Sequence, residues 1–301
     1  MKKEWIAPLA LLFVAFIWGA TFVVVQNAMS FVGPFTFNGV RFLLAGLILS
    51  IIQLISMKKT PIKNVGFSSG AGMIIGFFLF VGYLLQTFGL LYTTSSKAGF
   101  LTGLSIVMVP ILSLIFLKQK VNLFIVLGIT ASTIGLFLLT SGEAFQFNMG
   151  DFLILGCAVA FAAHILVNGF FSKKISPLLL STTQILAVGL FSSICAFLFE
   201  DWEKLLSMSL WTNRSFLFAL LLTSLFATSL AFFIQTTAQK YTSPTRVAII
   251  FAMEPVFAAI TGVLVANEQL SLSAIIGCIC IFLGMIFVEL PNKQKKEARV
   301  A

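Results

Sequence analysis

The sequence predicts an all-α membrane protein of ten transmembrane helices in two inverted five-helix repeats. Three observations predict it. The first is composition: of 301 residues, 59% are hydrophobic and only 10% are charged, and the mean hydropathy is +1.07. No soluble domain needs that much apolar surface. The second is a set of apolar runs of bilayer length, since roughly twenty residues at about 1.5 Å each span the hydrocarbon core. Counted between charges or turn residues, they lie at 6–26, 35–56, 69–92, 98–117, 122–140, 151–171, 177–199, 215–238, 246–266 and 271–290. The third is internal repetition. Trp18 to Pro34 matches Phe161 to Pro177 at an offset of 143 residues. Gln86, Tyr92, Thr93, Lys97, Gly128 and Gly135 match Gln235, Tyr241, Thr242, Arg246, Gly277 and Gly284 at an offset of 149. Five spans per half is an odd number, so the second half enters the membrane upside down. The units are 6–140 and 151–290, followed by a basic cytoplasmic tail, 291–301.

Taken in order, the first run follows Lys2 and Lys3 and resembles a signal peptide. Its full span length and its counterpart in the second half argue for a retained helix. Most connections are short, so consecutive helices are antiparallel neighbours; the longest is 200–214. Residues 66–70 match G-x-S-x-G, but a nucleophile elbow needs a preceding strand and a His–acid pair, and this run opens the third helix. Gly72/Gly76, Gly99/Gly103 and Ala258/Gly262 have the spacing that lets helices approach closely. Pro110 in the fourth span and Pro255 in the ninth each remove a helical N–H and predict kinks. They are not repeat mates, being displaced by four residues.

The net charge of +9 argues topology rather than nucleic-acid binding. With the N-terminus in the cytoplasm, fifteen of the 19 basic residues fall on inner segments and three (Lys97, Lys204 and Arg214) on outer ones, with Arg41 inside a span. The positive-inside rule therefore places both termini in the cytoplasm of a cell (plasma or inner) membrane. Cys157, Cys195, Cys278 and Cys280 all lie in apolar spans without metal-ligand spacing and read as buried small hydrophobes. No cofactor is expected.

The candidate functional residues are the polar groups inside the membrane, because such groups are costly there unless they face protein or water. Glu254 lies about 12 Å from the inner end of the ninth helix and His164, the single histidine, about 10 Å from the inner end of the sixth, at the helical rise. His164 and Asn168 share a face. Arg41 and Gln86 lie about 9 Å from the outer surface, and Gln235, the mate of Gln86, a similar distance from the inner one. An Arg41–Glu254 pair would need both side chains extended. Trp18, Thr21 and Phe22 line one side of the first helix, Tyr83 and Thr87 flank Gln86, and Thr228, Phe232 and Gln239 share the Gln235 face. Aromatic walls with a few converging polar groups suit a small amphipathic solute. Each residue has a plainer reading as well: a satisfied packing histidine, an arginine anchored to carbonyls, a glutamine paired to its mate or to backbone.

The run FAMEPVFAAITGVLVANEQLS, from Phe251, resembles the second-repeat signature of EamA-type transporters of the drug/metabolite transporter superfamily. IWGATFVVVQNAM and RFLLAGLIL, from Ile17 and Arg41, resemble the first two helices of the first repeat. The resemblance covers nearly the whole chain. It implies a secondary transporter exporting small organic metabolites such as amino acids or related compounds, not an enzyme, with the lipid bilayer and a small-molecule solute as partners, no nucleic acid, and a monomeric or homodimeric state. Proton coupling through Glu254 is one expectation and a fixed charge the other. A passive channel and an intramembrane enzyme are the alternatives from other classes. There is no G-x-x-x-x-G-K-[ST], and one histidine excludes H-E-x-x-H.

Overall fold

The computed structural model describes residues 2–57, 65–93, 95–118, 122–140, 148–266 and 269–289. The basic tail 291–301, Phe22's side chain, Lys97's side chain and several loop lysines lie outside the described set. The helices are α1 Lys2–Ala28, α2 Pro34–Met57, α3 Val65–Leu90, α4 Ser95–Gly103, α5 Ser105–Leu117, α6 Leu123–Thr140, α7 Met149–Phe171, α8 Pro177–Phe199, α9 Met208–Thr212, α10 Arg214–Leu222, α11 Ala231–Gln239, α12 Pro244–Phe251, α13 Glu254–Ala266 and α14 Leu272–Glu289. A 3₁₀ turn, Trp202–Leu206, and α9 fill the longest connection, and a π-helical stretch, Thr223–Leu230, joins α10 to α11. Among the described residues, nine helical segments are long and apolar enough to cross a membrane. The tenth span is α1, 27 residues long, with the apolar stretch Ile6–Thr21. The fourth span is α4–α5, the eighth α10–α11 and the ninth α12–α13.

The repeats interdigitate, and glycine contacts fix their relation. A Cβ on Gly135 would lie 2.6 Å from the Gly277 carbonyl oxygen, and one on Gly128 would lie 2.8 Å from that of Gly284. Gly135 thus meets the mate of Gly128, and Gly128 meets the mate of Gly135. Numbers rise along α6 as they fall along α14, so the mated helices are antiparallel. The α2–α8 pair repeats the pattern. A Cβ on Gly46 would lie 2.4 Å from Leu186, and one on Gly189 would lie 2.9 Å from the Leu43 backbone; Gly46 and Gly189, and Leu43 and Leu186, are mates at the 143 offset. Two crosswise antiparallel contacts are what a pseudo-two-fold axis perpendicular to the helices requires.

Prolines start α2, α8 and α12, where the missing N–H is one no helix would use. The start of α2 carries a further device. The Glu200 carboxylate accepts from Phe35 N at 2.9 Å, Thr36 N at 2.7 Å and Thr36 Oγ1 at 2.7 Å. It caps orphan donors and lies at the positive end of the helix dipole, together worth about 1–2 kcal/mol. Helix α2 is the one that carries Arg41.

Breaks in the spans follow the repeat more closely than the prolines do. The ninth span breaks at Ala252 and Met253, where Pro255 leaves the ladder short of one donor. The fourth breaks at Leu104, the mate of Met253, although Pro110 sits six residues further along inside α5. The sequence places the kink at Pro110; the interruption lies nearly two turns earlier. The other interruption is one-sided. Thr223–Leu230 is π-helical, whereas its mates, residues 74–81, continue α3 without a break. The difference is in the side chains. Ser229 Oγ lies 2.8 Å from Ser224 O, five residues back, and Thr223 Oγ1 donates to Ala219 O at 2.7 Å. Hydroxyls that compete with the backbone ladder loosen it, and residues 74–81 contain none.

Two packing expectations are corrected. Gly99 faces open space and packs on no helix, whereas Gly72, Gly76 and Gly103 do. Cys157 alone of the four cysteines is fully buried; the others are half-buried.

Candidate functional site

Phe232 in α11 is the hub of the interior. Its ring centroid lies 5.3 Å from Trp18 of α1, 6.1 Å from Phe42 of α2 and 6.1 Å from His164 of α7. Tyr83 of α3 is the mate of Phe232, and Phe161 is the mate of Trp18. They meet in the same way, at 5.5 Å, so the aromatic core obeys the pseudo-two-fold axis. Phe251, the last residue of α12, stacks edge-on against Trp18 at 5.0 Å. The π-helical stretch earns its place here. It leaves the Ala227 carbonyl open to Trp18 Nε1, which donates to it at 2.8 Å, and it presents Thr228 Oγ1 to Arg41 Nε at 2.7 Å. Single-turn π distortions commonly coincide with functional sites.

The expected residues divide into two groups. Trp18 and Tyr83 stand in this core, Arg41 lies over the Phe42 ring at 5.2 Å, Glu254 is an electrostatic neighbour of Tyr83, and Gln86 and Gln235 lie about one turn beyond Tyr83 and Phe232 on the same helices. Glu254 opens α13 at the helix break. Lys204 and Asp201 form an ion pair at 3.6 Å, whereas among the described residues the Glu254 carboxylate has neither an ion pair nor a hydrogen bond. It is half-buried. No Arg41–Glu254 pair forms; Tyr83 has both as electrostatic neighbours. Gln235 is 1% exposed and its Oε1 lacks a partner. Gln86 Nε2 reaches Thr102 Oγ1 at 3.5 Å, so the two glutamines do not pair with each other.

His164 and Thr21 belong to the second group. His164 Nε2 donates to Gln184 Oε1 at 2.9 Å, and Gln184 Nε2 donates to Thr236 Oγ1 at 3.1 Å. Asn168 Nδ2 donates to the same hydroxyl at 3.2 Å and to Gln239 Oε1, and Gln239 Nε2 donates to Ile165 O at 3.2 Å. All five side chains are buried, and the chain of bonds ties α7, α8 and α11 together. Thr21 Oγ1 donates to Ile17 O at 2.7 Å within its own helix. Sequence reasoning missed Gln184 and Thr236. The repeat offset could have found Gln184, since it is the mate of Arg41.

A bundle of membrane-length helices, built from two antiparallel repeats around an interior with an unpaired carboxylate, defines a polytopic protein with the architecture of secondary transporters. The sequence profile of the EamA-like transporter family matches residues 5–141 and 148–290. An uncharacterized transporter of Archaeoglobus fulgidus is 34% identical over 289 residues, covering 96% of this chain and 87% of that protein. The uncharacterized transporter YoaV of Bacillus subtilis is 22% identical, covering 96% and 98%, and a chloroplastic WAT1-related protein of Arabidopsis thaliana is 23% identical, covering 92% and 68%. A solved crystal structure superposes with a TM-score of 0.77 at 20% identity, over 94% of this chain and 96% of that one, a likeness of fold. This chain belongs to the EamA-like transporter family.

Proposed function

We propose that the chain is a secondary transporter that exports a small, partly apolar, hydrogen-bonding metabolite of the amino-acid kind across the cell membrane, with both termini in the cytoplasm. The observation that carries the reading is the Glu254 carboxylate. It sits unpartnered at the break between α12 and α13, three residues after Phe251, whose ring packs on Trp18, and it is an electrostatic neighbour of Tyr83. A carboxylate left without a partner inside an apolar bundle is retained for something that comes and goes, a solute cation or a proton. Gln86, Tyr83 and Arg41 supply the opposite wall, and His164 with Thr21 supports it through bonds within the protein.

The test is counterflow in proteoliposomes with a radiolabelled mixture of the twenty amino acids. Saturable uptake accelerated by unlabelled solute inside supports the reading. Flux that does not saturate points to a passive channel, and no flux with any amino acid removes the solute class. Glu254→Gln keeps shape and hydrogen bonding but removes the charge. With Glu254 as the proton carrier, the variant still exchanges solute for solute but loses accumulation driven by a pH gradient. Gradient-driven accumulation at the wild-type level would remove the coupling role.

A further inference from the structure

We infer that Phe251 is a positioning residue: it denies Gln235 an internal partner and so holds that amide ready for a donor-bearing group of the solute. The inference rests on the transporter reading and goes beyond it in assigning a role to the residue behind the glutamine.

The argument is a comparison of mates. Gln86 and Gln235 occupy matching places 149 residues apart. Gln86 donates to Thr102, at 3.5 Å. At the matching place of Thr102 the chain has Phe251, whose side chain has no polar atom. The polar pair of one half is therefore a lone amide in the other, and Gln235 Oε1 is buried without a partner. Phe251 instead spends its ring on Trp18, 5.0 Å away. Trp18 lies 5.3 Å from Phe232, which is three residues before Gln235 on α11. By the repeat correspondence, Phe251 stands towards Gln235 as Thr102 stands towards Gln86. The Trp18 indole N–H is already committed to Ala227 O, so it offers Gln235 no donor. A buried amide oxygen without a donor destabilises the empty protein. A ligand that supplies the donor recovers that loss, and the recovery appears as affinity.

A melting cycle on the purified full-length chain in detergent tests this without a solute. Gln235→Leu removes the orphan, and the melting temperature is expected to rise by about 2–4 °C. In a Phe251→Thr background Gln235 acquires the partner that Gln86 has, and the same Leu substitution is expected to lower the melting temperature. In a Phe251→Leu background, apolar like the wild type, it should raise it again. A pure packing role for Phe251 does not reverse the sign between the Thr and Leu backgrounds, so the absence of a reversal overturns the inference. In amino-acid counterflow, Phe251→Thr is expected to raise KM about tenfold, equal to roughly 1.4 kcal/mol; a KM at the wild-type level would also overturn it. No wild-type flux with any amino acid would instead remove the proposed solute class, while the melting cycle still decides whether Phe251 leaves the amide unpaired.

Discussion

The pseudo-two-fold axis exchanges two of the seams between the repeats, one between α3 and α7 and the other between α1 and α11. They are built very differently. In the first, a Cβ on Gly150 would lie 2.6 Å from Gly89 O and 3.0 Å from Thr93 N, so backbone meets backbone. Thr93 Oγ1 donates to Asp151 Oδ1 at 2.6 Å, and Asn148 Nδ2 donates to Tyr92 O at 2.8 Å. Asp151 and Asn148 also form a capping box at the start of α7. The mates of Gly89 and Gly150 are Ala238 and Ala7, and the mate of Asp151 is Pro8. Here a crevice of about 320 Å³ opens between α1 and α11, lined by Ala7, Ala10, Phe233, Ile234, Ala238 and Tyr241 among others. One methyl per helix and one lost carboxylate turn a clasp into a loose seam. An inverted repeat supplies symmetric positions, and the side chains decide whether both ends hold equally.

The comparison breaks most readily at the glycines. Gly150→Val places its new atoms against backbone that cannot turn aside, and forcing the helices apart costs about 1–3 kcal/mol. At its mate, Ala7→Val sends the added carbons into the crevice and should cost less than about 1 kcal/mol on the same scale. Thermal unfolding in detergent checks both. Equal losses would mean that the seams are packed alike. Asp151→Ala comes next. It removes the acceptor of Thr93 Oγ1 and of Asn148 N, the latter at 3.0 Å, and charge-assisted bonds are worth about 1.5–3 kcal/mol. Amide hydrogen exchange at the end of α3 and the start of α7 should quicken, with α1 and α11 unaffected. Exchange that quickens equally at both seams would show that the clasp acts globally.

The sequence makes the spans legible, because bilayer length and apolar composition leave few alternatives, and both offsets hold through to the crossed glycines. It makes Glu254 legible as a misfit at depth. What it hides depends on partners distant in the chain. Glu200 reads as a loop charge until it is seen capping a helix 165 residues earlier, with Phe35 N at 2.9 Å. Gln184 reads as an isolated amide until it is seen holding His164 at 2.9 Å. The π-helical stretch has no proline or glycine to announce it; Ser229 and Thr223 turn back on nearby carbonyls, and Thr228 accepts from Arg41, 187 residues earlier. Pro110 shows the converse. A strong local signal was displaced by the repeat, which sets the break at Leu104 to match Met253.

The smallest effect gives the cleanest contrast, because the two residues are identical. Thr93 and Thr242 are mates, and each sits in the turn after its helix. The Thr93 hydroxyl donates to Asp151 at 2.6 Å, whereas Thr242 Oγ1 is buried without a partner. Valine keeps the shape and removes the hydroxyl at either place. Thr93→Val leaves a buried carboxylate short of one donor, and the loss should be about 1–1.5 kcal/mol. Thr242→Val removes a hydroxyl that gains nothing from the fold, so stability should stay level or rise by up to about 1 kcal/mol. The two substitutions are chemically the same, so intrinsic propensity and side-chain entropy largely cancel between them. The difference in melting temperature then reports the seam alone. Losses of equal size would place an unseen acceptor at Thr242 and make the second seam a clasp like the first.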